Sequence, residues 1–99
     1  MWAQIIKSRM KPEFEDQAEQ IQRQAEENNT VREGWLRTIV MRDQHNPDEV
    51  YTLIVFESEE AARRGEQTPE VQAIAQKMQQ LADGPPEFID LDVLFDRSR

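Results

Sequence analysis

Apolar positions along the chain fall into short runs and stripes separated by polar turns. Trp2 to Arg9 is a compact run with Ile5 and Ile6 near its centre, bounded by Lys11-Pro12, and it reads as a strand. Pro12 suits the first turn of a helix, where its missing N–H has no partner to lose. Glu13, Glu15 and Asp16 follow, at the end where a helix is positive. Phe14, Ala18, Ile21 and Ala25 then recur at spacings of four, three and four, one narrow stripe among Glu, Gln, Asp and Arg. Asn28-Asn29 is expected to end that helix.

After Gly34, the run Trp35–Arg42 is rich in β-forming residues. The segment from Asp43 to Asp48 has turn composition, and Val50–Phe56 is a second β-run. The pair predicts a hairpin, and the near-continuous apolar character of Val50–Phe56 predicts a strand buried on both faces. Ser58 can cap a short helix through Arg64, with Gly65 as its stop. Thr68-Pro69-Glu70 is a cap, a proline at the first helical position and an acid. Val71, Ile74, Ala75, Met78, Leu81 and Ala82 then repeat at three and four. Asp83-Gly84-Pro85-Pro86 closes this helix. Phe88–Phe95 alternates, with Ile89, Leu91, Val93 and Phe95 on one face and Asp90 and Asp92 on the other.

The order is β-α-β-β-α-α-β, with no internal repeat and no low-complexity linker, so residues 1–99 are expected to form a single α+β domain. A split βαβ sheet of four strands satisfies the order with both main helices on one face and right-handed crossovers. The sheet's other face carries large apolar side chains and has no helix left to cover it. A second copy's sheet is the economical cover, so the chain's expected partner is itself, as a homodimer.

Composition narrows the function. A chain of 99 residues buries only about two thirds of its unfolded surface, so its own core is modest. Twenty acids against 12 bases give a net charge of −8, which repels phosphate backbones and anionic membrane surfaces. Nucleic acid and membrane are therefore not expected partners. There are no cysteines, which excludes disulfides, thiolate catalysis and cysteine metal sites. The N-terminal run is too short and too polar beyond Ile6 for a signal peptide, and no run approaches a membrane-spanning length, so a cytoplasmic location is expected.

Candidate chemistry is sparse. His45 is the only histidine and sits in a turn beside Asn46-Pro47, so a solvated turn residue is expected rather than a metal ligand or triad member. Asp90 and Asp92 share a strand face. Paired carboxylates can do acid–base work, but ion pairing across the sheet with Arg37 or Arg42 is the simpler expectation. Trp2, Phe14, Trp35, Phe56 and Met78 are either plain core or the lining of an apolar pocket between sheet and helices. With three glycines and no glycine-rich phosphate loop, nucleotide cofactors are not expected.

Four stretches carry a resemblance over nearly the whole chain: Gly34-Trp35-Leu36-Arg37 leading into a strand, Met41-Arg42-Asp43 with its polar turn, Leu53 to Ala61 passing from strand to helix, and Thr68-Pro69-Glu70-Val71. In this order and spacing they resemble the antibiotic biosynthesis monooxygenase-like family of dimeric α+β barrel proteins. The resemblance implies a ferredoxin-like βαββαβ subunit with a four-stranded antiparallel sheet, two sheets facing each other across a two-fold axis, and an apolar pocket within each subunit. Some members oxidise phenolic or polyketide-like substrates to quinones with dioxygen and neither metal nor flavin; others bind and degrade haem. Haem-degrading relatives use an asparagine in the first strand, a tryptophan at the end of the third and a histidine in the helical region after it. Here those places hold Ile6 and Phe56, and no histidine follows His45, so neither haem nor metal is expected. Quinone-forming members hold their substrate with polar groups, for which Arg37, Tyr51 and Asn28 are the candidates here. The resemblance thus implies a cofactor-independent monooxygenase whose small aromatic substrate sits against Ile6, Phe14, Trp35, Phe56 and Met78. The alternative is a non-catalytic homodimeric module that binds a small apolar ligand or a protein.

Overall fold

The structure, a computed structural model, describes residues 1–27 and 32–99; the expected helix end at Asn28-Asn29 lies outside them. Strand β1 (Trp2–Arg9) leads through a 3₁₀ turn (Pro12–Phe14) into helix α1 (Glu15–Glu27). Strands β2 (Trp35–Arg42) and β3 (Glu49–Phe56) form the hairpin, followed by helices α2 (Glu59–Glu66) and α3 (Pro69–Leu81) and strand β4 (Glu87–Asp92). The four strands make one antiparallel sheet in the order β2-β3-β1-β4, a ferredoxin-like α+β fold. Strand β3 lies at its centre beside β1, as the continuous run Val50–Phe56 predicts.

Local chemistry explains the boundaries. The Ser58 hydroxyl accepts the Ala61 N–H at 3.1 Å, and the Thr68 hydroxyl accepts the Val71 N–H at 3.4 Å, so both caps predicted from sequence are formed. Gly34 adopts φ +71°, which turns the chain into β2 and lets its carbonyl accept the Glu57 N–H at 2.8 Å. A Cβ there would also stand 2.8 Å from the Ala61 Cβ, so only glycine fits between β2 and α2.

Three expectations are corrected. Helix α2 does not stop at Gly65 but runs through it to Glu66, because the missing side chain makes room for Arg32: a Cβ at Gly65 would lie 3.4 Å from the Arg32 Nε. Strand β4 ends at Asp92 rather than Phe95. The Val93 N–H turns back to the Met1 carbonyl at 3.3 Å, and Leu94 and Phe95 are each 81% exposed. Asp90 pairs with neither Arg37 nor Arg42. Strands β4 and β2 are opposite edges of the sheet, Arg37 lies on the face away from the helices, and Arg42 binds Glu15 of α1 at 2.7 Å.

The core is split in two. At one end of the sheet, Phe56 is wholly buried against Trp2 and Ala62, with Trp35 and Ile54 packed alongside. At the other, Met10, Ala18 and Val50 are buried, with Phe14, Met78 and Leu81 packed on them. Phe56 is the largest side chain with no exposed surface. Truncation, Phe56→Ala, should therefore cost the full amount of a closed aromatic site, about 3–5 kcal/mol. A urea titration with unchanged slope would show this as a lowered midpoint; a loss near 1 kcal/mol would mean that the site is already partly empty.

Candidate functional site

Register sorts the sheet into two faces. Towards the helices point Trp2, Gln4, Ile6 and Ser8 of β1 and, opposite them on β3, Phe56, Ile54, Thr52 and Val50. Along these central strands Trp2, Gln4, Val50 and Phe56 are buried, whereas Ile6, Thr52 and Ile54 between them are only half-buried. The row through Ile6 and Thr52 crosses the whole sheet: Val40 lies beyond Thr52 on β2, 50% exposed, and Phe88 lies beyond Ile6 on β4, 58% exposed.

The helices match this. Helix α3 buries none of its residues, and α1 buries only Ala18. Ile21 and Ile74, next on the stripes of Ala18 and Met78, stay half-buried. The middle of the helix-facing side is thus a stretch of half-buried side chains between the two buried clusters.

The residues expected to line one cavity do not share one space. Trp35 and Phe56 belong to one cluster, Phe14 and Met78 to the other, and only Ile6 lies between them. The reason is length: Val50 and Phe56 are six residues apart on one strand, about 20 Å. Of the three polar candidates, Arg37 and Tyr51 lie on the face away from the helices, where the Lys7 ammonium stands 5.8 Å from the Tyr51 ring, and Asn28 is outside the described residues. Thr52 and Ile54 were not read as lining residues, and Ile21 and Ile74 were read only as members of the helix stripes. The signal for Thr52 and Ile54 is strand register, which side-chain periodicity alone does not reveal.

Polar groups border this half-buried row on one side. Gln4 is 5% exposed, and its Nε2 donates to the Asp90 Oδ1 at 2.9 Å. The Arg63 Nη2 donates to the other oxygen, Oδ2, at 2.8 Å. Asp90 is accordingly held below the usual carboxylate range, first by the Gln4 hydrogen bond, against some desolvation, and then by Arg63. Arg63 also lies 5.1 Å over the Trp2 ring and binds Glu59 and Glu66. Arg32 stacks 4.6 Å over Phe56 and donates to the Ala62 carbonyl at 3.1 Å. Its burial lowers the guanidinium pKa, partly offset by Glu66.

His45 is exposed, in a turn whose backbone N–H donates to the Asp43 carboxylate. Among the described residues no cluster of His, Cys, Asp and Glu could hold a metal ion, and no helix is long and apolar enough to cross a membrane.

These features define a ferredoxin-like α+β domain with a half-buried apolar row beneath its helices. The pattern of the antibiotic biosynthesis monooxygenase family matches residues 1–77, and the chain belongs to that family. Solved structures bearing the family's name are similar in fold. One from Caulobacter crescentus is 17% identical, with a TM-score of 0.78 over 95% of this chain and 90% of that one. One from Bordetella bronchiseptica is 15% identical, with a TM-score of 0.78 over 95% and 97%. One from Chloroflexus aurantiacus is 22% identical, with a TM-score of 0.75 over 98% and 96%. No curated protein matches the sequence.

Because Asp90 has a lowered folded pKa, its contribution to stability is present above the unfolded carboxylate value, about 4, and is lost as pH falls through the folded value. The wild type should exceed Asp90→Asn in urea midpoint by a constant margin from neutral pH to about pH 5, and the margin should shrink below about pH 4. A margin that grows on acidification would contradict the pairing with Gln4 and Arg63.

Proposed function

We propose that the protein is a cofactor-independent monooxygenase that oxidises a small aromatic or polyketide-like substrate in the gap between helices and sheet. The supporting observation is the half-exposed row Val40–Thr52–Ile6–Phe88, set between two closed clusters where a simple core would be filled. Oxidation of a phenol ring to a quinone balances with one dioxygen. One oxygen atom becomes the new carbonyl, and the other leaves as water with the hydrogen of the oxidised ring carbon and that of the phenolic hydroxyl, so no external reductant is consumed. What the chain must supply is a dry apolar space that orients the ring, access for dioxygen and an outlet for the proton.

A second reading, a non-catalytic ligand-binding module, is favoured by one observation: Arg37 and Tyr51 lie on the other face of the sheet and cannot act in the gap. An oxygen electrode separates the two. With a dihydroxyanthrone or 1-naphthol, oxygen uptake should match quinone formation one to one, and Ile6→Trp, which fills the gap, should abolish both. Binding without uptake would assign the chain to the second reading.

The same proposal takes the chain to be a homodimer, sheet against sheet. On the face away from the helices, Ile39, Leu53, Ile5 and Ile89 form one apolar row across all four strands, and Leu91 and Met41 extend it. Ile89, Leu91 and Met41 are exposed in the single chain. Lys7, Arg9, Arg37, Glu49 and Glu87 lie around this row, an apolar centre with a charged rim. Sedimentation at micromolar concentration should give about twice the chain mass of 11.7 kDa, and Leu53→Lys should reduce it to one. A wild-type monomer would remove this part of the proposal.

A further inference from the structure

The segment after β4 keeps strand composition but has no strand beside it. Val93 and Phe95 favour β structure, with Leu94 between them. Strand β1 begins at Trp2, which faces Asp92, so from Leu94 onward the chain has run past the end of β1. Residues 94–99 are all exposed, Leu94 and Phe95 at 81% each. What Phe95 meets is the Arg97 guanidinium, 6.0 Å from its ring and on the same segment. Consecutive side chains of an extended segment point to opposite sides, so this one is apolar on both. A single surface could cover only one side. A strand added to a sheet is covered on both.

The sheet has a matching free edge. Strand β2 is outermost and eight residues long, carries charge only at Arg37 and Arg42, and exposes Leu36, Val40 and Met41. Among the described residues nothing pairs with its outer side. The opposite edge, β4, has three acids among its six residues, the kind of charge that guards an edge against pairing. The segment leaves beside β1 and β4, and β2 of its own chain lies three strand spacings away, about 14 Å across the end of the sheet. Surface area points to a second copy as the cover. The chain exposes 7352 Å², whereas a compact monomer of 11.7 kDa exposes about 5,900 Å². The excess, about 1,450 Å², is what one subunit of a permanent dimer buries.

We propose that residues 93–99 are an arm that adds as a strand to the outer edge of β2 in a second copy, the two copies exchanging arms about a two-fold axis. This rests on the homodimer reading and adds to sheet-against-sheet packing a second contact, made through the backbone. Main-chain hydrogen bonds along β2 would supply the affinity, and Leu94 and Phe95 the specificity. Because each arm seats on the same edge of the other copy, the exchange closes on itself and leaves no edge to recruit a third chain. The arm also reaches the candidate site. Val40 is the β2 end of the row Val40–Thr52–Ile6–Phe88. In either strand register one of Leu94 and Phe95 falls on the helix-facing side of β2, so the second copy closes the open end of that row.

Two measurements on the full chain test this. The first is the dimer dissociation constant, from sedimentation over a dilution series, for the wild type and for the double variant Leu94→Ser, Phe95→Ser. Both side chains are exposed in the single chain, so their loss should leave its folding intact and weaken the dimer by on the order of a hundredfold or more. The second is amide exchange of β2 in the wild-type dimer, which needs no variant. The β2 amides that do not donate to β3 should be protected, although β2 is an edge in the single chain, and in the double variant they should exchange freely. Equal dimer affinity of the two proteins overturns the arm and leaves the sheet-against-sheet dimer standing. Unprotected outer amides of β2 in the wild-type dimer overturn the placement on that edge. A wild-type monomer at every concentration removes the arm and the homodimer together.

Discussion

The pairing of Trp2 with Phe56 across the two central strands is the constraint on which the rest depends. The rings stand 6.0 Å apart at a tilt of 43°, closed over by Ala62 and overlaid by Arg63 and Arg32. Once these residues are opposite each other, every row of the sheet follows. Gln4 meets Ile54 and Asp90, Ile6 meets Thr52 and Phe88, and Ile5 meets Leu53 and Ile89. A slip of one residue would exchange the two faces, sending the outer apolar row under the helices and Gln4 to the outside. The bulky pair forbids that slip, since nothing else at either end of β1 fills the space under α2.

Charge is arranged around this pair rather than spread evenly. The chain carries a net charge of −8, yet three of its arginines converge on the region around α2, Arg32 and Arg63 on the aromatic rings and Arg64 on Glu33, while Arg42, at the far end of β2, binds Glu15 of α1. The exposed pairs each contribute little. Arg32 differs, because its side chain lies in the slot left by Gly65 and joins the chain entering β2 to the body of α2.

Much of the fold was legible in the sequence, because its signals are local. The Thr68-Pro69-Glu70 start, the Ser58 cap and the apolar run Val50–Phe56 each act within a few residues, and the elements they announce are present. What was not legible depends on residues distant in the chain. Gly65 reads as a stop until Arg32 is seen beside it, and Phe95 reads as strand until the Val93 N–H is found on the Met1 carbonyl. The partner of Asp90 is set by strand order, which places β4 beside β1 and away from both expected arginines. The site suffered most. Periodicity identified the apolar stripes correctly, but stripes say nothing of position along the strand. Residues from opposite ends of the sheet were therefore assigned to one space, and of the five only Ile6 stands between the two clusters.

Helix α3 is fastened unevenly. Its first turn is capped by Thr68, and Met78 and Leu81 near its end rest on the Met10–Val50 cluster, but no residue along its length is fully buried. Its backbone hydrogen bonds are therefore shielded by little besides the helix itself, which places it at the low end of the range of local opening energies. Native-state amide exchange would be fastest there among the long elements, while the β1–β3 pair would open only with the whole chain. The molecule is in this sense a rigid sheet with a compliant cover, and α3 can lift without disturbing the pairing of Trp2 and Phe56.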